Sequence, residues 1–485
     1  MTGEGESAEG LDAPTGEEQP SLRSAGMRGG LLLMVRGGVG TVLRLGGMLV
    51  VTRLIGPYEF GLYASALAFV LFLTNLCQMG SEVYLIRRSE EPDRATYDTT
   101  FTLLLLISVV GTGLGIAVTY IIAAFSAPPP YFSVLRVLLL SVPLNVCWAP
   151  AQARLERRLD YRRMAIMELG GDCVLYGVAA PLAALGRGAM APTLGFIAWQ
   201  GFLFVASLRL CRTVPRIAWD RCELRQLLEF GASYALTGSL TGLIGLANPL
   251  VVGHYYGPSG VGYVNVTQRI LTALGFVNQA AWRLSTVAFG RLAGNLERTR
   301  RTVEETTVLQ VVAFGSVLSG FGIVSAALVP PLLGKSWTTV TTYFPVLALA
   351  ALVNATTLVP QSLLYAKGRN LTVAMGQLAM GLILFPTSIW LTGSLGPRGY
   401  TYAFLCCQIG SGIVVYATYQ IVAYRVGYTM AWVAIFAPIL FFQPVPGVFR
   451  PILFLPAALT LIVPSARRRI TGLARDLLGA VRGAT

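Results

Sequence analysis

Charge is scarce in this sequence: Asp, Glu, Lys and Arg make up 12% of 485 residues, against 54% hydrophobic ones, and the mean hydropathy is +0.63. That balance excludes an ordinary water-soluble surface, which carries about a quarter of its residues charged. Histidine occurs once, at His254, in an expected loop after the seventh apolar span, and is read as incidental rather than catalytic. Lysine occurs only at Lys335 and Lys367, a coding bias with no mechanistic content. The seven cysteines (Cys77, Cys147, Cys173, Cys211, Cys222, Cys406, Cys407) fall in apolar spans or Arg-rich loops without ligand spacing, so neither a disulfide nor a bound metal is expected. Also missing are the ten-residue apolar/polar alternations of membrane barrels; the apolar runs are continuous, about 15–24 residues each. Lipid offers no partner to backbone N–H and C=O groups, so such runs must be helices.

What is present is therefore an all-α polytopic membrane protein. Apolar runs set against breakers give about 14 transmembrane helices, starting near residues 31, 60, 101, 132, 164, 191, 229, 262, 304, 341, 371, 400, 429 and 450. The first 20 residues hold six acids and no base, so 1–27 is expected to be a disordered acidic tail. They lack the basic start and short apolar run of a signal peptide, so the first span is expected to be retained.

Loops on one side carry 28 of the 37 basic residues, while the other side carries five: Arg53, Arg187, Lys335, Arg398 and Arg450. By the positive-inside bias both termini are expected to be cytoplasmic, in a multi-pass inner-membrane protein. The +14 formal charge is thus a matter of topology, and no nucleic-acid partner is expected.

A repeat organises the chain. Val50-Val51, Gly56-Pro57 and Gly61 recur as Val251-Val252, Gly257-Pro258 and Gly262, offset by 201 residues. Each copy reads as a helix exit, a tight turn and a new helix. Six helices per copy is an even number, so the halves are parallel repeats about an axis along the membrane normal. The expected domains are an N-terminal six-helix lobe at 28–215, a C-terminal one at 216–425, two additional helices at 426–466 and a basic amphipathic tail at 467–485. In that tail Ile470, Leu473, Leu477, Leu478 and Val481 share a helical face suited to an anionic leaflet, with a merely solvated basic tail as the alternative.

The stretch Arg53-Leu54-Ile55-Gly56-Pro57-Tyr58-Glu59-Phe60-Gly61-Leu62-Tyr63 resembles the first-loop signature of bacterial polysaccharide flippases (Wzx-like), in the multidrug/oligosaccharidyl-lipid/polysaccharide (MOP) exporter superfamily. Leu332-Leu333-Gly334-Lys335-Ser336-Trp337 and Leu363-Leu364-Tyr365-Ala366-Lys367-Gly368-Arg369 are similar to the segments flanking that family's tenth helix. The resemblance covers about residues 28–425 and marks turns rather than chemistry. It implies two pseudo-symmetric six-helix lobes around a central cavity, two further C-terminal helices, and alternating access for an undecaprenyl-pyrophosphate-linked oligosaccharide. No cofactor and no enzymatic activity are expected; the expected partners are the lipid-linked substrate, membrane lipids, H+ or Na+ as coupling ion, and a polysaccharide polymerase and glycosyltransferases.

Four arginines, Arg36, Arg44, Arg136 and Arg269, fall inside expected spans, where a charge costs at least a few kcal/mol. Arg44, beside Gly37, Gly38 and Gly40, is the leading candidate for holding the phosphate headgroup, with Arg36 on the same face and Arg269 in the other lobe. The alternative for each is snorkelling or internal pairing, and snorkelling is favoured for Arg136. Asp172, with Glu168 one turn away, is the candidate coupling-ion site; a salt bridge from Asp172 to Arg44 or Arg36 is the competing reading. Asn75, Gln78, Asn145, Asn248, Asn278, Gln279, Asn354, Gln361 and Gln408 are candidate sugar contacts, set against interhelical hydrogen bonding. Pro143, Pro249 and Pro345 are candidate kinks.

Three other functions compete. A multidrug or cation antiporter would need an acidic cavity, and the spans hold more Arg than acid. A lipid II flippase of peptidoglycan synthesis shares the anionic substrate. A membrane glycosyltransferase or polymerase would need a large catalytic loop that the short outer loops do not offer.

Overall fold

After Pro20 no proline occurs until Pro57, and a helix, α1 (Leu22–Gln78), runs through that stretch. The computed structural model describes residues 22–88, 91–125, 129–158, 160–211, 215–291 and 296–442. Helix therefore begins at Leu22, inside the segment expected to be disordered to residue 27. At 1.5 Å per residue, the 57 residues of α1 would span about 85 Å, nearly three times a bilayer core of about 30 Å. The helix is in fact two limbs folded at Gly56, whose φ of 76° and ψ of 174° break the helical run.

The first half continues with α2 (Ser81–Arg87), α3 (Arg94–Phe125), the broken span α4 (Phe132–Leu139), α5 (Ser141–Cys147) and α6 (Ala149–Arg157), then α7 (Tyr161–Ala184) and α8 (Met190–Leu210). The second half repeats the pattern. A helix α9 (Arg221–Ala247) passes through a π-helical turn at Asn248–Val252 into α10 (Gly253–Leu274), which folds at Gly257 (φ 64°, ψ −170°), and α11 (Phe276–Arg291) follows. Next come α12 (Leu296–Leu333), α13 (Thr339–Ala366), α14 (Asn370–Leu395), α15 (Pro397–Cys406), α16 (Gly412–Val422) and α17 (Val426–Leu440). All elements among the described residues are helical, and nine helical runs are long and apolar enough to cross a membrane. The span expected near residue 450 and the tail at 467–485 lie outside the described residues.

Water exposure would penalise much of this surface. On α3, Leu106, Val110, Leu114, Val118 and Ile121 form an outward stripe, each at least half exposed. An apolar face of that extent needs lipid against it. Inside, buried apolar side chains form several clusters, two of them large. Ala66, Val70, Leu138, Val142 and Val146 belong to the first, and Val252, Val264, Leu318, Leu347 and Leu352 to the second.

The two Gly-Pro elbows meet each other. A methyl placed on Gly61 would fall on the carbonyl of Pro258, and one placed on Gly262 would fall on that of Pro57. Each elbow thus presents a glycine to the other's proline carbonyl, and the contact repeats the symmetry of the sequence. Phe60 and Ala64, just past the first elbow, are built into the second core.

The resemblance motifs converge here. Trp337, fully buried in a 3-10 turn after α12, sits edge-on between Phe60 (5.8 Å) and Tyr263 (5.8 Å) and donates its indole N–H to the Thr52 carbonyl at 3.2 Å. Arg53 donates to the Pro331 carbonyl at 2.7 Å. Both carbonyls lie in last turns, where i+4 donors run out. Glu59 accepts from the Ala189 N–H at 2.8 Å, satisfying the open start of α8.

At the Arg-rich end, acids act as caps. Asp93, Asp160 and Asp220 accept from the N–H groups of Thr96 (2.8 Å), Arg163 (3.1 Å) and Cys222 (2.8 Å). The amide and hydroxyl of Thr96 hold Asp93 below the usual carboxylate range. The halves also touch at this end. Arg88 donates to both oxygens of Glu223 (2.8 and 2.9 Å), to Gln226 (2.9 Å) and to the Tyr84 hydroxyl (3.0 Å), while Tyr84 packs on Phe230.

The expected kinks are redistributed. Pro143 lies in the short α5 of the broken fourth span and Pro249 in the π-helical turn, whereas Pro345 lies within α13 without a break. The sharp folds occur at Gly56 and Gly257, because only glycine takes that positive φ without strain. His254 lies within α10, not in a loop, since the repeat carries helix through it.

Replacing Trp337 with Ala is expected to cost about 3–5 kcal/mol, the range for a fully buried aromatic. Gly61→Val should destabilise by at least as much, because backbone rather than a flexible side chain fills the space. Thermal unfolding of the detergent-solubilised protein measures both, and a Gly61→Val protein with unchanged midpoint would contradict the docking.

Candidate functional site

On α7, Glu168, Asp172 and Tyr176 are spaced by four and so share one face, directed toward the first limb of α1. Asp172 is 3% exposed. Its Oδ2 lies 3.5 Å from Arg44 Nε, and the same Nε donates to the Gly40 carbonyl at 3.2 Å. The contact with Asp172 is a charge pairing without a hydrogen bond, since Asp172 Oδ2 has no donor among the described residues. The Arg44 side chain is half exposed. Gly47, one turn on, takes the Tyr176 ring against its backbone.

A cavity of about 260 Å³ surrounds this pair, lined by Arg44, Gln152, Glu168, Asp172, Trp148 and Trp199. Among the described residues the Trp199 indole N–H, packed over Gly171 in the wall of this cavity, has no acceptor, just as Asp172 Oδ2 has no donor. Such a space is polar enough to hold water or a small ion.

Arg269 in α10 does not stay in its own half. It donates to Asn265 at 2.9 Å, lies over the Phe60 ring (5.3 Å) and shares a small cavity with Tyr63 and Tyr176. The second positive charge thus stands against the first half, where it meets the upper end of the α7 ladder. Arg136 is held instead of reaching outward: Thr119 accepts from its Nε at 2.8 Å and the Tyr120 ring lies 3.9 Å away. The α3–α4 turn brings those groups to it, so snorkelling is not needed. The Arg36 side chain lies outside the described residues.

Of the nine amide candidates, most are consumed by packing. Gln78 donates to Asn145 (3.2 Å), Gln310 to Asn278 (2.9 Å), Asn354 to Gln408 (3.2 Å) and Gln361 to Thr357 (3.3 Å), while Asn248 reaches the Val261 carbonyl (3.4 Å). A buried amide in an apolar bundle takes the nearest partner, which here is the adjacent helix. Asn75 and Gln279 are exposed. Sequence reading missed Tyr63, Tyr176 and Trp199; Tyr176 was within reach of it, being four residues beyond Asp172.

A family model described as polysaccharide biosynthesis protein matches residues 50–342, more than half of the chain. The chain belongs to that family. The succinoglycan biosynthesis transport protein ExoT of Rhizobium meliloti (strain 1021) is 25% identical over 315 residues, 62% of this chain and 61% of that protein, so the match spans about three fifths of the relative's length. Among solved structures, the lipid II flippase MurJ in an inward closed conformation superposes with a TM-score of 0.73 at 14% identity, covering 92% of this chain and all of MurJ. An inward-facing multidrug resistance transporter of the MATE family, MOP superfamily, gives 0.63 at 14% identity, covering 82% and 98%. This member of the polysaccharide biosynthesis family thus shares the fold of those two structures.

Because Arg44 is half exposed, its pairing with Asp172 should be worth about 1 kcal/mol rather than the 3–5 of a fully buried pair. In a double-mutant cycle, Arg44→Ala is expected to destabilise the wild type by about that much more than it destabilises Asp172→Asn. Equal costs in both backgrounds would show that the pair does not interact.

Proposed function

We propose that this protein is a flippase that moves an undecaprenyl-pyrophosphate-linked oligosaccharide, the repeat unit of a cell-surface polysaccharide, across the cytoplasmic membrane. The observation that carries this reading is the half-exposed Arg44 side chain in an apolar bundle, held by one charge contact and one carbonyl. A pyrophosphate entering hydrocarbon loses its hydration, and a planar fork of N–H donors offsets that loss. Arg269 supplies a second such fork from the other half, and Arg36 is a third headgroup candidate on the first limb of α1.

The cycle follows from charge. With no substrate, Asp172 balances Arg44. When a phosphate engages Arg44, Asp172 is left as a buried carboxylate without its counter-charge and takes up H+ or Na+, with Glu168 at the mouth of the same cavity. Release of the phosphate on the far side returns Arg44 to Asp172 and expels the ion. The two lobes, 28–215 and 216–425, rock about the cleft, with both termini cytoplasmic. The polysaccharide polymerase and glycosyltransferases act on the delivered and supplied substrate. A cation antiporter is disfavoured, because the one deeply buried acid of this site already faces an arginine.

In a strain lacking the protein, lipid-linked oligosaccharide should accumulate on the cytoplasmic leaflet, and the wild-type protein should clear it. Arg44→Ala, inserted at equal level, should lose about tenfold or more in clearance, since a charge-assisted hydrogen bond is worth about 1.5–3 kcal/mol. Asp172→Asn should make transport insensitive to the ion gradient. Absence of accumulation in the deletion strain would remove the flippase reading.

A further inference from the structure

A further cavity, of about 250 Å³, lies at the seam between the halves, far along the second limb of α1 from the elbow. It is lined by Asn75, Gln78, Ser81, Glu82 and, from α9, Gly238 and Thr241. It differs chemically from the Arg44 site. No arginine or lysine lines it to hold a phosphate, and its only ionisable group is Glu82. Its other lining groups are amides and hydroxyls. Asn75 and Thr241 are exposed to the space, and the Gln78 amide nitrogen is spent on Asn145, which leaves its carbonyl oxygen available. Behind them the Ser81 hydroxyl is fully buried, with no partner among the described residues, so it backs the wall instead of opening into the space. A glycine at 238 keeps the α9 wall low.

An uncharged polyol matches this set. A carboxylate accepts from two hydroxyls at once, an amide both donates and accepts, and Ser and Thr hydroxyls adapt to either role. The volume is several times the roughly 30 Å³ of one water, which is space for a sugar ring. Tyr63, which faces Arg269, and Asn75 lie twelve residues apart on one limb, about 18 Å at 1.5 Å per residue. Phosphate-binding and hydroxyl-binding chemistry are therefore separated along one helix.

We infer that the seam cavity lined by Asn75, Gln78, Ser81, Glu82 and Thr241 is a glycan subsite, distinct from the arginine headgroup site, which reads the sugar of the lipid-linked substrate. This inference rests on the flippase reading. It assigns Glu82 and Thr241 to sugar recognition and removes the paired amides Asn278, Asn354, Gln361 and Gln408 from it.

The test uses the full-length protein in lipid nanodiscs and two kinds of probe: farnesyl pyrophosphate, and farnesyl pyrophosphate bearing glucose, galactose or N-acetylglucosamine. Wild type should bind at least one glycosylated probe about tenfold more tightly than the bare pyrophosphate, by native mass spectrometry. Glu82→Gln and the isosteric Thr241→Val should each erase that preference and leave affinity for farnesyl pyrophosphate unchanged, whereas Arg44→Ala should weaken every probe. Equal affinity of the wild type for bare and glycosylated probes, or a preference that survives both substitutions, would overturn the glycan subsite and leave the headgroup site standing. Failure of the wild type to bind any probe would overturn the flippase reading and the subsite with it.

Discussion

Gly61 and Gly262 mark where the backbone of one Gly-Pro elbow rests on the backbone of the other, with no side chain between them. Much else follows from that closeness. The carbonyls freed near the folds need donors, and the chain brings Trp337 to Thr52 and Arg53 to Pro331. Phe60 is drawn into the second core, and Arg269, on the limb that docks there, comes to lie over the Phe60 ring and beside Tyr63. A positive charge from one half therefore faces the polar ladder of the other because two glycines permit the approach. The turn motif and the candidate site share a single steric cause.

Charge inside the bundle is sparing and unevenly satisfied. Arg136 has a hydroxyl, a carbonyl and a ring, and its needs are met. Arg44 has one carbonyl and a carboxylate at a distance too long for a good hydrogen bond, and half its surface is open. Groups left short of partners in low dielectric are costly to keep, which is why they point to function more reliably than fully bonded ones. The same reasoning separates Asn75, open to a cavity, from Asn354, which is bonded to Gln408.

The spans were legible because hydrophobic runs of membrane length have few alternatives, and the repeat was legible because its glycines and prolines are spaced alike in both halves. That the two copies touch each other was not legible, since a 201-residue offset carries no information about distance. Arg44 and Asp172 were visible as rare charges in apolar spans, and their pairing was one of the readings the sequence left open. The amides were visible as side chains able to bind sugar, but sequence does not show which neighbour claims them: Gln78 bonds to Asn145, and Asn354 to Gln408. Glu59 shows the opposite failure, being visible in its motif while its partner, the Ala189 N–H, lies 130 residues away.

In the proposed cycle the docked elbows part as the two lobes rock. Spin labels at Leu54 and Leu332, both exposed near the elbow contact, would measure this directly by electron–electron double resonance in nanodiscs, with the native cysteines replaced. That cycle requires two distances, a short one matching the docked elbows and a longer one, whose populations shift when a pyrophosphate-bearing lipid is added. A single short distance that no ligand, proton or sodium condition changes would mean that the elbows are a fixed joint, and the alternating-access mechanism built on them would be contradicted.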